Sequence, residues 1–278
     1  GLTGIYSALD SDNTMFIGGE DSVLAYQDEI AGDPHSPIVL RNEWKRPTEI
    51  TGGFVGVNMT FDGKLVVVTD EGWIVVLERD FSDYVAIALP GQEVAAAHNA
   101  EVVANGITLA SASWVRNSIA VDDQGGIYAV SFDEIHKVMW DGVKLSISPD
   151  DGAWSVPYSN GNGKGSGATP ALMGYCDDRF VVVTDGDAQM NVMLFWRDAI
   201  PQDWENIEGQ TNPRVAGNAL VTMDDANLTA IQSEQGVVVG GYGALVVNND
   251  SPTIPDGYPA KAARLLVAYS GADPAFAP

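Results

Sequence analysis

The stretch from Phe54 to Leu89 reads FVGVNMTFDGKLVVVTDEGWIVVLERDFSDYVAIAL. Four short runs rich in Val, Ile, Tyr and Phe stand in it: Phe54–Phe61, Lys64–Thr69, Trp73–Glu78 and Tyr84–Leu89. Turn formers fill each break, namely Asp62-Gly63, Asp70-Glu71-Gly72 and Arg79–Asp83. Runs of this length between such residues are strands, and breaks this short join antiparallel neighbours. The stretch therefore predicts a four-stranded antiparallel meander.

Working outward, the same rhythm recurs. Apolar runs begin at Met15, Leu65, Ile127, Phe180 and Leu245, at steps of 50, 62, 53 and 65 residues. The first unit reads Leu2–Leu9, Thr14–Ile17, Val23–Tyr26 and Ile38–Arg41. The third reads Asn117–Val121, Gly126–Ser131, Glu134–Trp140 and Lys144–Ile147. The fourth reads Thr169–Tyr175, Arg179–Thr184 and Asn191–Phe195, followed by a long insertion. The fifth reads Gln235–Val239, Ala244–Asn248 and Arg264–Tyr269, with no fourth strand before Ala272–Pro278. Repeats of this length, made of short strands and Gly or Asp turns, predict an all-β fold, a β-propeller of four-stranded blades. Five units are visible in a single domain, 1–278. A raw sheet edge needs cover, so a segment near Gly1, a sixth blade or a second polypeptide is expected to complete the ring. One helix is predicted, over Glu93–Ala104.

Asp and Glu number 38 against 14 Lys and Arg, a net charge of -24. That balance argues against nucleic acid, whose phosphates require cationic side chains, and against anionic membrane surfaces. It fits solubility, a salty habitat or cation binding, and with the fold it points to a periplasmic or secreted location. The lone cysteine, Cys176, lies in the apolar run Leu172–Phe180 and reads as a small buried side chain.

In a propeller, loops between strands two and three and the entries to the first strands share one face, where ligands usually bind. Polar candidates there are Asp70, Glu71, Asp185, Asp187 and Asn248 from the loops, and Asn58, Arg116, Asn117, Thr169, Glu234 and Gln235 at the entries. Two readings stand: an oxygen-rich site for Ca²⁺, which takes 6–8 oxygen ligands, or polar groups satisfying one another. On the opposite face, Asp62, Asp122, Asp177 and Asp178 read as turn formers.

The segment Asn117-Ser118-Ile119-Ala120-Val121-Asp122-Asp123-Gln124-Gly125-Gly126-Ile127-Tyr128 resembles a blade segment of the gluconolactonase/regucalcin and strictosidine-synthase-like propellers. In the lactonases of that superfamily the Asn ligates a central divalent metal. The resemblance implies Asn117 as a Ca²⁺ ligand, with Asn58 and Glu234 at the matching places of their units. It implies a lactone or ester hydrolase acting on a small molecule, with His98 or Asp185 activating water. The alternative is a non-catalytic propeller that binds a small molecule, glycan or protein on its loop face.

Other features carry less. The Gly-rich run Ser159–Gly167 lacks phosphate-loop spacing and reads as a mobile lid or a plain loop. His98 reads as base or bystander, His35 as loop and His136 as mid-strand. The aromatic run Phe195–Trp204 reads as a partner surface or as packing beneath a long loop.

Overall fold

The computed structural model describes residues 5–223 and 228–249, and the backbone of a strand at Arg264–Ser270. Five antiparallel sheets occur among these residues. The first is β1 (Ser7–Leu9), β2 (Met15–Gly18), β3 (Ser22–Asp28) and β4 (Ile38–Lys45). The second is β5 (Phe54–Met59), β6 (Leu65–Thr69), β7 (Trp73–Leu77) and β8 (Tyr84–Ala88). The third is β9 (Ala120–Val121), β10 (Gly126–Val130), β11 (Glu134–Trp140) and β12 (Leu145–Ser146), with β13 (Trp154–Pro157) beside β11. The fourth is β14 (Ala171–Tyr175), β15 (Asp178–Thr184), β16 (Asn191–Trp196) and β17 (Val215–Leu220). The fifth is β18 (Val238–Gly240), β19 (Gly243–Asn248) and β20 (Arg264–Ser270). A 3-10 turn at Gln92–Val94 leads into α1 (Ala95–Ala104), and α2 (Leu109–Ala112) follows. No helix among the described residues is long and apolar enough to cross a membrane. The proposed raw edge at Ala272–Pro278 lies outside the described residues, as do Gly1–Gly4 at the proposed closing segment.

Two compact units divide the chain. One is Gly1–Ser131 with His136–Trp154; the other is Phe132–Ile135 with Ser155–Pro278. In the first, β6 sets the packing. Its alternate residues point to opposite faces, yet Leu65, Val66, Val67 and Val68 are all buried. Leu65 and Val67 join a cluster with Phe16, Val23, Trp44, Phe54 and Val75. On the other side the backbone comes close: a Cβ on Gly56 would lie 2.7 Å from Ser118 Cα. In the second unit Phe180, Val182, Val192, Leu194 and Trp196 share a core with Ala244 and Val246.

Turns between first and second strands in the first unit follow one rule. Asp10, Thr60 and Asp122 each accept, through a side-chain oxygen, the backbone N–H four residues on, from Thr14 (2.8 Å), Lys64 (2.8 Å) and Gly126 (2.7 Å). The residue before that donor is left-handed in every case: Asn13 at φ 58°, Gly63 at 86° and Gly125 at 84°. Asn and Gly are the residues that tolerate this conformation.

Two readings are corrected, and a third takes one of its two alternatives. The chain after β16 returns as β17, a fourth strand hidden behind the insertion. Cys176 is exposed, because it opens a two-residue turn between the paired Tyr175 and Asp178, with φ 51°. The aromatic run is packing: Trp196 lies 4.7 Å from Phe180 and 5.2 Å from Trp204, ring to ring.

Two glycines separate strain from crowding. A Cβ at Gly63 meets nothing within 4 Å, whereas at Gly125 it would lie 2.0 Å from the Trp140 carbonyl oxygen. Gly63→Ala is expected to cost about 1–2 kcal/mol from backbone strain alone. Gly125→Ala is expected to cost clearly more in urea unfolding; equal losses would contradict this close approach.

Candidate functional site

The loops that join second and third strands carry the acids picked from the sequence. Asp70 follows β6, and its buried Oδ1 accepts the Gly53 N–H at 2.8 Å. Asp185 follows β15; Oδ1 accepts the Asn191 backbone N–H at 2.8 Å and Oδ2 its side-chain amide at 2.6 Å. Burial holds both carboxyls above the usual aspartate range, against the hydrogen bonds that pull them down. Asn248 Oδ1 likewise accepts the Gln232 N–H at 3.1 Å. These groups clip loop backbone.

Asp187 performs the same task for the Gly-rich run. Its Oδ1 accepts from the Ser159 hydroxyl at 2.6 Å and the Gly161 N–H at 2.8 Å. Asn160 Oδ1 takes the Gly165 N–H, and the Asn162 N–H reaches the Gly186 carbonyl. Ser166, Gly167 and Ala168 are buried. Ser159–Gly167 is thus a loop tied by hydrogen bonds to Asp187 and Gly186.

Asn58 and Asn117 hold different registers in their sheets. Asn58 pairs with Val66 near the turn end of β5, and Ala120 pairs with Tyr128 at the same place in the third sheet. Asn117 lies three residues before Ala120, so the two asparagines do not hold matching positions. Asn58 Nδ2 donates to the Ile119 carbonyl at 2.9 Å, and its Oδ1 accepts the Met59 N–H at 2.8 Å. Asn117 and Arg116 are buried, and the Arg116 guanidinium donates to the Ser111 carbonyl. Glu234 and Gln235 are exposed, and Thr169 is half-buried. Glu71 is half-buried beside Asp70. Among the described residues no three His, Cys, Asp or Glu side chains are grouped to hold a metal ion.

The histidines serve the fold. His98 Nε2 lies 2.8 Å from the Ala112 carbonyl oxygen, tying α1 to α2. His136 is buried on β11, 2.9 Å from the Ser131 hydroxyl, and burial pushes its imidazole down to about 3.

An open concave surface of the first unit lies at the opposite strand ends. Adjoining depressions of about 470, 350 and 200 Å³ form a groove across the turns of its three sheets. Asp62 is common to the first two and Trp140 to the last two. The Trp140 indole N–H donates to the Asp62 carboxylate, at 3.0 and 3.2 Å to its two oxygens. Burial would raise the Asp62 carboxyl, but hydrogen bonds from the Thr60 hydroxyl and Trp140 leave it below the ordinary aspartate range. Asp10 is lowered in the same way: N–H groups of Thr14 and Asp12 and the Arg79 guanidinium outweigh its burial. Asp141 is lowered by the N–H groups of Lys144 and Val143. Sequence reading assigned this face to turn formation alone; the signal for more was the density of acids within the turns.

No protein-family model matches the chain. An uncharacterized protein of Archaeoglobus fulgidus is 34% identical over 256 residues, 90% of this chain and 45% of that protein. The chain thus spans less than half of that relative's length. Among solved structures, BamB from Moraxella catarrhalis superposes with a TM-score of 0.51 at 10% identity, over 87% of this chain and 57% of BamB. The fold is a β-propeller. Virginiamycin B lyase from Staphylococcus aureus gives 0.40 at 9% identity, over 88% of this chain and 77% of the lyase. At these identities the likeness concerns fold alone and no narrower family within the propellers.

The buried groups predict opposite pH responses. Unfolded His136 takes a proton near pH 6.5, and the folded imidazole only near 3. Stability therefore falls as pH drops between these values, by about 1.4 kcal/mol per pH unit from this group. In His136→Gln the fall of the melting temperature from pH 6 to 4 is expected to be shallower. Asp70 has the reverse sign: its raised folded pKa makes the buried charge a penalty at neutral pH, relieved as pH falls. Asp70→Asn keeps an acceptor for Gly53 and is expected to melt at or above wild type at pH 7. Asp70→Ala strands that N–H and is expected to lose about 1–3 kcal/mol. A lower melting temperature for Asp70→Asn would contradict this assignment.

Proposed function

We propose that the chain is a non-catalytic propeller module that binds a partner in the turn-face groove of its first unit. One observation carries this reading. The turns of the three sheets bring Asp10, Asp62 and Asp141 to one groove beside Trp140, and hydrogen bonds hold all three carboxyls below the ordinary aspartate range. A groove with convergent polar groups on rigid turns is the form of a recognition surface. The propeller fold accommodates such a role, as it accommodates many others.

The calcium-dependent hydrolase reading requires Asn58, Asn117 and Glu234 to converge on one cation, with His98 or Asp185 as base. Asn58 and His98 are engaged elsewhere, and Asp185 is held by Asn191. Metal content after dialysis decides between the two. The binding module is expected to hold less than one Ca²⁺ per chain and to melt at the same temperature with and without EDTA. One tightly held Ca²⁺ per chain, lost in Asn117→Ala, would overturn the proposal in favour of the hydrolase.

A further inference from the structure

The chain contains three Asn-Gly pairs: Asn105-Gly106, Asn160-Gly161 and Asn162-Gly163. Asparagine before glycine is prone to lose its side-chain amide, because no Cβ shields the next backbone nitrogen from the asparagine carbonyl carbon. Two of the pairs are tied down. Asn160 Nδ2 donates to the Phe132 carbonyl at 2.9 Å, its Oδ1 accepts the Gly165 N–H at 2.9 Å, and the Gly161 N–H is held by Asp187 at 2.8 Å. Asn162 Nδ2 donates to Gln232 Oε1, and the Gly163 N–H bonds the Asn160 carbonyl at 3.1 Å. Asn105 is placed differently, at the C-terminal end of α1. Its side chain has no hydrogen-bond partner among the described residues, and residues 103–108 are all exposed. The Gly106 N–H is restrained by the last helical turn, through the Val103 carbonyl at 3.0 Å. Helix ends open more readily than the elements they terminate. Upstream, α1 is anchored by buried Ala95, Asn99 and Val102, and Asn99 accepts the Trp114 N–H at 2.8 Å. Opening is thereby confined to the turn beyond Val102.

We propose that Asn105 is a deamidation site of the folded protein, converted to aspartate and isoaspartate through a cyclic imide. The Gly106 backbone nitrogen gives its proton to solvent and attacks Asn105 Cγ. The new C–N bond closes the ring, and the Cγ–Nδ2 bond breaks, with the amide leaving as ammonia. Water then opens the ring at either carbonyl, so one water is consumed for each ammonia released. In α1 the Asn105 ψ of 8° keeps the Gly106 nitrogen in the helical turn and away from Cγ, so the reaction proceeds through the frayed end. The product carboxylate stands at a helix C-terminus, where negative charge is unfavourable, and isoaspartate also lengthens the main chain. Both products therefore favour the open turn. This inference is independent of the partner that the propeller binds.

The test is tryptic peptide mapping by mass spectrometry after incubation of the intact chain at pH 8.5. Peptide 80–116 carries Asn105, and peptide 145–164 carries both Asn160 and Asn162. Asn105 is expected to convert at least about tenfold faster than the other two in the folded chain, and at a similar rate to them in urea. Asp187→Ala frees the Gly161 N–H and is expected to speed conversion within peptide 145–164 about threefold or more while leaving Asn105 unchanged. Asp187→Asn keeps an acceptor there and is expected to leave both peptides near wild type. Circular dichroism melts confirm that the variants are folded. Equal rates for the three pairs in the folded chain, or an intact Asn105 when Asn160 or Asn162 has converted, would overturn the proposal. So would an Asn105 that converts in urea and stays intact in the folded chain.

Discussion

A strand with two apolar faces must be covered on both. Leu65–Val68 imposes that condition, and the first unit is the answer to it. One face of β6 meets the cluster of Phe16, Trp44 and Phe54, and the other lies against the chain that enters the third sheet. The second contact is backbone against backbone, which is why Gly56 carries no side chain. Stacked sheets satisfy such strands at low cost in loop, because each meander needs only short hairpins. Polar residues are then driven to the strand ends, since the middle of every inner strand is dry.

At the ends these groups meet two fates. Between second and third strands they lie partly buried, and each charge or amide is spent on the backbone of a loop that would otherwise hold unsatisfied N–H groups. Asp70 and Asp185 tolerate the desolvation because fixing the loop outweighs it. Their raised pKa values record that cost. Between first and second strands the turns are shorter and wetter. There Asp10 and Asp62 take hydrogen bonds that outweigh their burial and hold their carboxyls below the ordinary range.

The hairpins of the second and third sheets were legible to within a few residues, because their strands alternate with Asp-Gly punctuation. Legibility failed where punctuation was absent or misread. β17 follows a long insertion carrying Pro201 and Pro213, and Val215–Leu220 with its Gly217 has little strand character. Cys176 has apolar neighbours in sequence, but a two-residue turn places it outside whatever its polarity. Asn58 was aligned with Asn117 by the likeness of Asp62-Gly63 to Asp122–Gly125. The hydrogen bonds align Thr60 with Asp122 instead, because either side chain closes the same five-residue turn. That substitution moves the count, so Asn58 matches Ala120, three residues beyond Asn117. The acids of the groove were visible as letters, yet their common placement depends on sheet stacking, which local pattern does not encode.

The net charge of the chain follows from the same turn chemistry. A five-residue turn with a left-handed fourth position needs an oxygen at its first, and Thr60 shows that a hydroxyl suffices. Asp10 and Asp122 use carboxylates for the same bond and gain further partners by it, the Arg79 guanidinium at 2.9 Å and the Tyr128 hydroxyl at 2.7 Å. Asp80 accepts the Ser82 N–H at 3.0 Å in the turn before β8. Like charges gathered on one surface repel and weaken the compact state, and the Arg79 pairs and the turn hydrogen bonds offset part of that repulsion.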